Sequence, residues 1–416
     1  MIMNFIRKNR ENITRDNNVI RINKLDHPLC VNEFLYCLFD GAERGYKDFR
    51  IFSHATAIFP NACVPIAGII EYYKKKKEID FNFDFNSKDY LHTCGFDIGG
   101  YYYDKDTYYQ NPFDKIFYYN SSQQVADLTQ SYIDYLSKIE ICAEGVLDGL
   151  TWCINEVLDN VLIHSNADCG FIMAQYHPQT KHIAVCVYDY GIGIYNSLKS
   201  SKHQPKTNSD AISLAIQEGV GDGQGQGNGL YGLYEIIQNN NGSLTITSGN
   251  ASLMFGNNEL KKNDNNKFLS YDNLATIIDF QLDLSSEIDI KKAFKNIGEY
   301  DGWDARIDDM LNADDIIEYD IFNNCQGTAT RKAGELLRKD ICNIFSRSKS
   351  IMHLDFSNVK SVSSSFIDEL IAKMVLNYGF VKFNTYFKLI NMNPTVEFLC
   401  NRSVYMRVHE SWSNTK

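Results

Sequence analysis

A mixed α/β fold is the prediction, and three stretches of the chain carry it. Leu147, Leu150, Ile154, Val157, Leu158, Val161 and Leu162 hold the 3.6-residue spacing of a buried helical stripe. Ile183-Ala184-Val185-Cys186-Val187-Tyr188 is an apolar run of strand length that ends in Asp189 and the turn Gly191-Ile192-Gly193. Near the other end, a strand-like run over 351–359 precedes Ser361-Val362-Ser363-Ser364-Ser365. Apolar Phe366, Ile367, Leu370, Ile371, Met374 and Val375 follow at helical spacing, and then a second β-like run from Val381 to Ile390. Strands that alternate with helices place the chain in the α/β class.

The helix of the first stretch carries a polar row beside its apolar one. Glu156, Asn160 and His164 recur every four residues and share one face along the rim of the core. A carboxylate and a carboxamide one turn apart suit work on a hydrated metal phosphate. The carboxylate can take a proton from a nucleophile, and the amide oxygen is a hard ligand for Mg2+. His164, at the helix's C-terminal end, is expected to cap or pack there, where the dipole favours it.

Downstream, a glycine-rich run from Gly219 to Gly229 enters an apolar helical pattern through Leu233, Ile236 and Ile237. Such glycines let backbone N–H groups approach an anion, and a helix N-terminus adds partial positive charge. A strand pair is expected over 243–249 and 275–282, with an Asn- and Lys-rich loop at 257–266 between them. His177 and His182 flank an expected hairpin turn around Pro178 and receive no function. No G-x-x-x-x-G-K-[ST] string occurs, which excludes the P-loop class of nucleotide site.

In this order the parts resemble, over residues 140–284, the ATP-binding domain shared by gyrase, the heat-shock chaperone of that class, histidine kinases and MutL, the GHKL or Bergerat fold. Glu156 to His164 match the family's Asn-bearing helix, and Asp189, Gly191 and Gly193 match its Asp-x-Gly-x-Gly box. Gly225, Gly227 and Gly229 stand for its lid glycines, and Thr276 for the Thr of its last strand. The resemblance implies helices on one face of a mixed sheet, with ATP and Mg2+ as cofactors. It implies that Asp189 accepts a hydrogen bond from the adenine amino group, that Gly191 and Gly193 leave room for the ring, and that Thr276 helps to hold it. Asn160 would hold Mg2+ against the phosphates, and Glu156 would activate the attacking oxygen.

The Glu-x-x-x-Asn-x-x-x-His pattern is most similar to the anti-sigma-factor serine kinase branch. His27, His54 and His92, the histidines before this domain, are followed by Pro28, Ala55 and Thr93, not by the acidic residue that follows a phosphoacceptor histidine. The chain after residue 285 is too short and wrongly patterned for the transducer domain of gyrase or MutL relatives. The C-terminal strand, serine-rich turn, helix and strand resemble the STAS domain of anti-sigma-factor antagonists. There the first serine of the turn is phosphorylated by a partner kinase; Ser364 stands in its place, although Ser363 and Phe366 replace the Asp and Gly of that motif. The same serines suit a helix N-cap. Phe49 to His54, Phe59-Pro60 and a helical run through Ile66, Ile69 and Ile70 repeat the order of strand, turn and helix, with Pro60 in a helix's first turn. They resemble a second, degenerate STAS-like domain. Residues 101–109 read as a polar-aromatic connector, and Lys74 to Lys77 as a solvated helix end.

Composition bounds the function. At 416 residues and 44% hydrophobic, the chain can bury sizeable cores. Its apolar runs fall short of the ~18–20 residues of a membrane span, and its N-terminus lacks a secretory pattern, so a cytoplasmic protein without membrane partners is expected. A formal charge of −11 argues against general nucleic-acid affinity. The eleven cysteines include no C-x-x-C pair and are expected to be buried thiols.

The domains expected are a degenerate STAS-like domain at 1–120, the ATP-binding domain at 121–285, a linker at 286–330 and a STAS-like domain at 331–416. The function expected is that of an ATP-binding regulatory protein, a Mg-dependent ATPase or serine kinase acting on or gated by its own STAS-like domain or a partner regulatory protein. A non-catalytic nucleotide-sensing switch and an ATPase of a toxin- or defence-type assembly are the alternatives. The family resemblance also implies a homodimer.

Overall fold

Side chains that alternate along apolar strands need partners on both faces of a sheet, and this requirement organises the first half of the molecule. The computed structural model describes residues 11–103, 111–223, 228–264, 275–293, 305–325 and 327–413. The chain divides into two units, Met1–Tyr132 with Gly149–Tyr300, and Ile133–Asp148 with Asp301–Lys416. It is the mixed α/β structure that the sequence predicts, with several sheets.

The first unit begins with β1 (Ile13–Asp16), β2 (Val19–Ile22), α1 (Leu29–Glu43), β3 (Asp48–Ser53), α2 (Pro60–Lys77) and β4 (Asp80–Asp84). These strands form a sheet in that order, with β1 antiparallel to β2 and the other neighbours parallel. Pro60 occupies the first turn of α2, where its missing N–H costs nothing, and Lys74 to Lys77 fill the last turn. Then come β5 (Tyr101–Tyr102), β6 (Phe117–Tyr119), α3 (Ser122–Ile139), α4 (Val146–His164), β7 (Gly170–His177), β8 (His182–Asp189), α5 (Gly193–Lys199), α6 (Asn208–Ala215), α7 (Gly229–Gln238), β9 (Ser243–Ser248), β10 (Ala251–Gly256), β11 (Glu259–Asn263) and β12 (Thr276–Asp283). The large sheet has the order β11-β10-β9-β12-β8-β7-β6-β5 and is antiparallel except between β5 and β6.

The period of two decides what each residue of the large sheet meets. Cys186 and Tyr188 of β8 and Ile277 of β12 join one core with Cys63, Ile66 and Ile70 of α2. Asp189, Thr276 and Ile278 point to the opposite face, where α4 lines a cavity with them. The apolar stripe expected in α4 is buried at Leu147, Leu150, Ile154, Val157, Leu158 and Val161, and half-buried at Leu162. Helices therefore lie on the cavity face as expected, and α2 in addition covers the other.

Two local expectations are corrected in this unit. Tyr101 and Tyr102 are not connector but edge strand β5, paired in parallel with β6; residues 104–109 lie outside the described residues. The expected loop at 257–266 begins with a hairpin turn at Asn257 and Asn258, both at positive φ, and continues as β11, whose residues are all exposed. Exposure on both faces removed the alternation by which the strand could have been read; residues 265–266 lie outside the described residues.

The second unit holds a parallel sheet of β13 (Ile317–Asp320), β14 (Met352–Asp355) and β15 (Phe387–Ile390), with β14 central. Its helices include α8 (Arg331–Ser348), α9 (Ser364–Ile367), which continues through a π turn at Asp368–Ala372 into α10 (Lys373–Tyr378), α11 (Phe380–Tyr386) and α12 (Pro394–Ser413). Ser363 caps α9 by accepting from Phe366 N at 3.0 Å, as expected of the serine turn. Phe366, Ile367, Leu370, Ile371, Met374 and Val375 are all buried.

Two expectations are corrected here as well. The β run from Val381 to Ile390 is strand only from Phe387. Phe383 and Phe387 enter the core at i, i+4 with rings 5.3 Å apart while Val381 is 84% exposed, which is helical rather than alternating burial. The linker at 286–330 contributes β13 and the part-buried Arg306 to this unit. Asp340, fully buried on α8, accepts from Arg306 Nη2 and Nη1 at 2.8 and 3.2 Å, from Ser137 Oγ at 2.8 Å and from Tyr319 OH at 2.8 Å. Asn343, three residues on, donates to the carbonyls of Ser137 and Glu140 and accepts from Cys142 N. A buried charge persists only with such partners.

All cysteines are free thiols, buried except for the partly exposed Cys325. Among the described residues no helix is long and apolar enough to cross a membrane.

Candidate functional site

The polar row of α4, the end of β8, the start of β12 and the segment before α7 enclose one cavity of about 470 Å³. Glu156, Asn160, Asp189, Gly193, Gly229 and Thr276 all line it.

Asp189 is the last residue of β8 and the cross-strand partner of Thr276. It is 4% exposed, and its Oδ1 accepts from Gly191 N at 2.8 Å. Burial pushes its carboxyl up to about 7, against the pull of the backbone N–H groups of Gly191 and Thr276. Among the described residues no cation balances it, so a ligand that brings a hydrogen-bond donor would meet an unneutralised acceptor. Gly191 is required where it stands, because a Cβ there would lie 2.1 Å from the Ser165 carbonyl oxygen. That same oxygen accepts from Ile192 N at 2.8 Å and ties the turn to the end of α4. Thr276 Oγ1 lies 3.3 Å from Ser248 Oγ, which accepts from Ile194 N at 2.9 Å.

Across the cavity, Glu156 is pushed above its ordinary value by burial and then by the charge of Asp159, and Asp159 is raised by its own burial. Asn160 has a buried Nδ2 without a hydrogen-bond partner. A Cβ on Gly229 would come within 2.7 Å of Glu156 Oε2 and 3.1 Å of Asn160 Nδ2, so a larger first residue of α7 would displace the ends of both side chains. The unpartnered Nδ2 is a donor and fits a phosphate oxygen, while Asn160 Oδ1 and the Glu156 carboxylate are the oxygens that would face a hydrated cation brought in with phosphates. Among the described residues no cluster of three or more His, Cys, Asp or Glu could hold a metal by itself, so phosphate oxygens and water would have to complete its shell.

His164 does not act as a cap. Its Nδ1 lies 2.7 Å from Asp222 Oδ2, which also accepts from Ser197 Oγ at 3.0 Å. The glycine-rich segment is thereby tied to α4 and α5, and Asn228 Oδ1 accepts from Gly219 N at 3.0 Å within it. Sequence reasoning missed Asp222, Ser197 and Ser165. Asp222 could have been noticed as the one charged residue in the run from Gly219 to Gly229. Gly225 and Gly227 lie outside the described residues. Ser364 belongs to the second unit, where it is exposed and lines a separate cavity.

Residues 333–397 match the family described as STAS-like domain of unknown function (DUF4325). The C-terminal unit carries a STAS-like domain. No curated protein matches the chain. One solved structure, the mycobacterial sensor histidine kinase MprB, is similar at 17% identity over 39% of this chain and 95% of its own, with a TM-score of 0.24, too low to bear on the fold.

Proposed function

We propose that the first unit is an ATP-binding module of the GHKL type, and that with its STAS-like domain the chain forms a nucleotide-dependent regulatory protein. The observation that carries this reading is the pairing, in one cavity, of a buried, cation-free Asp189 with the Glu156 and Asn160 rim. Asp189 would accept from the adenine amino group, with Thr276 beside it. Asn160 would hold Mg2+, which when bound would neutralise charge on the phosphates.

Glu156, kept proton-hungry by burial, would take the proton of an attacking water or serine hydroxyl. The attacking oxygen forms a bond to the γ-phosphorus, the bond from that phosphorus to the β,γ-bridging oxygen breaks, and ADP leaves with the electron pair. With water the product is phosphate; with serine it is a phosphoester, for which Ser364 or a serine of a partner regulatory protein is the acceptor by family resemblance.

One observation favours a second reading, a nucleotide sensor without turnover. Among the described residues the cavity is lined by Glu156, Asp159, Asp189 and Asp222 but by no Lys or Arg that would stabilise charge in the transition state. Incubation with γ-labelled ATP and Mg2+, beside Glu156→Ala and Ser364→Ala, separates the cases. Labelled protein lost in both variants identifies a serine kinase, free phosphate lost only in Glu156→Ala identifies an ATPase, and tight binding without either product identifies the sensor. Absence of binding would overturn the proposal.

A further inference from the structure

The second unit contains a cavity of about 560 Å³ of opposite character, lined by Arg331, Arg402, Arg407, Ser364, Ser365 and Asp368 among others. Arg407 donates through Nε to Asp368 Oδ1 at 2.8 Å and through Nη2 to Oδ2. Arg331 donates to Glu369 Oε1 at 2.7 Å and lies 3.6 Å from Asp368 Oδ2. Glu369 is further held by Lys373 at 2.6 Å and Arg338 at 3.7 Å. Glu410 is the remaining carboxylate of the lining. Arg402 has no hydrogen bond or ion pair among the described residues and is exposed at the cavity's edge, and Ser364 Oγ likewise has no partner among them.

The charged residues that line the cavity are three arginines, Arg331, Arg402 and Arg407, and two carboxylates, Asp368 and Glu410, in a chain whose formal charge is −11. A local surplus of one positive charge, with an uncommitted guanidinium in the cavity that the Ser364 hydroxyl also lines, suits a phosphoryl group, whose oxygens take forked arginine donors. We propose that this cavity of the STAS-like unit is a phosphoryl-binding site with Arg402 as its uncommitted cation. The phosphoryl group comes either from a phosphoester on Ser364 itself or from a small phosphorylated ligand in solution. The inference stands on the second unit alone and does not require the nucleotide reading.

The test uses the full chain in two forms. In the first, phosphoserine is placed at position 364 by genetic encoding and its second ionisation is followed by phosphorus NMR. A free phosphoserine titrates near pH 6; in the site its value falls by about one unit, and Arg402→Ala returns it towards 6 while Arg402→Lys keeps most of the shift. In the second, the unmodified chain is titrated with inorganic phosphate and binding is read from the phosphorus linewidth, with Arg402→Ala weakening it about tenfold, the loss of one charge-assisted contact. A shift on phosphoserine assigns the site to the chain's own ester. Saturable, Arg402-dependent phosphate binding without that shift assigns it to a soluble ligand. An unshifted phosphoserine together with phosphate binding that is absent or indifferent to Arg402 would overturn the proposal. Arg402 is exposed, so circular dichroism of the variants should match the parent and exclude misfolding as the cause.

Discussion

Two buried carboxylates, one in each unit, are treated in opposite ways. Asp340 is surrounded by Arg306, Ser137 and Tyr319, a complete set of donors that includes a cation. Asp189 has, among the described residues, only backbone donors from Gly191 and Thr276, and its carboxyl rises to about 7. A buried acid with its own cation is part of the scaffold, whereas one without a cation, at the wall of a cavity, is poised for a partner that arrives from outside. The two cavities repeat the contrast, since among the described residues the one at Asp189 has carboxylates without Lys or Arg and the one at Ser364 has a surplus of arginine.

The sharpest way to break the comparison is to remove each acid in turn. Asp340→Ala leaves the part-buried Arg306 facing Asp134 at 3.4 Å and takes the acceptor from the buried Tyr319 hydroxyl, and it should cost about 3 kcal/mol, read as a lower midpoint in the urea unfolding of the second unit. Unchanged stability would mean that the pair is not structural. Glu156→Gln should lower any turnover by about 10²–10⁴-fold while Mg-ATP affinity changes little. If turnover in the parent chain is nil, the same variant should be silent, and the sensor reading is the one that survives.

The pH dependence of Asp189 sharpens the contrast further. Its folded value near 7 lies above the unfolded value near 4. The folded chain therefore holds the extra proton between these limits. Its contribution to stability is fully present below pH 4 and is lost as pH rises through 7. On the proposed reading nucleotide binding needs the carboxylate as acceptor and has the opposite sign, weakening by up to about tenfold per unit as pH falls below 7. In Asp189→Asn both slopes should vanish, as thermal melts and binding isotherms between pH 5 and 8 would reveal. The smallest effect is that of Asp159→Asn. Without the neighbouring charge that helps raise it, Glu156 should titrate lower, and the acid limb of a turnover profile should move to lower pH. A limb that stays in place would show that Asp159 does not act on Glu156.

What could be read from the sequence was local. The apolar stripe and polar row of α4, the apolar run of β8 ending in Asp189 and the serine cap of α9 each follow from spacing within one element, and the structure places them as read. Phe380–Tyr386 was misread because aromatic and β-branched residues favour strands, while the i, i+4 burial of Phe383 and Phe387 depends on a core that forms elsewhere in the chain. The pairing of His164 with Asp222, 58 residues apart, and of Arg306 with Asp340 depends on tertiary placement to which no periodicity points. β13 was hidden for the same reason, since four residues in a charged stretch become a strand only through pairing with β14.

The central claim is that Asp189 is left without a cation in order to receive a ligand, and titration calorimetry of Mg-ATP against the parent chain and Asp189→Asn at pH 8 tests it most directly. The account predicts one saturable site in the parent, an affinity lower by about 10- to 100-fold in the variant, as expected for a lost hydrogen bond to a charged group, and a melting temperature no lower than the parent's. Equal affinity in the two proteins, or no binding by the parent, would contradict it.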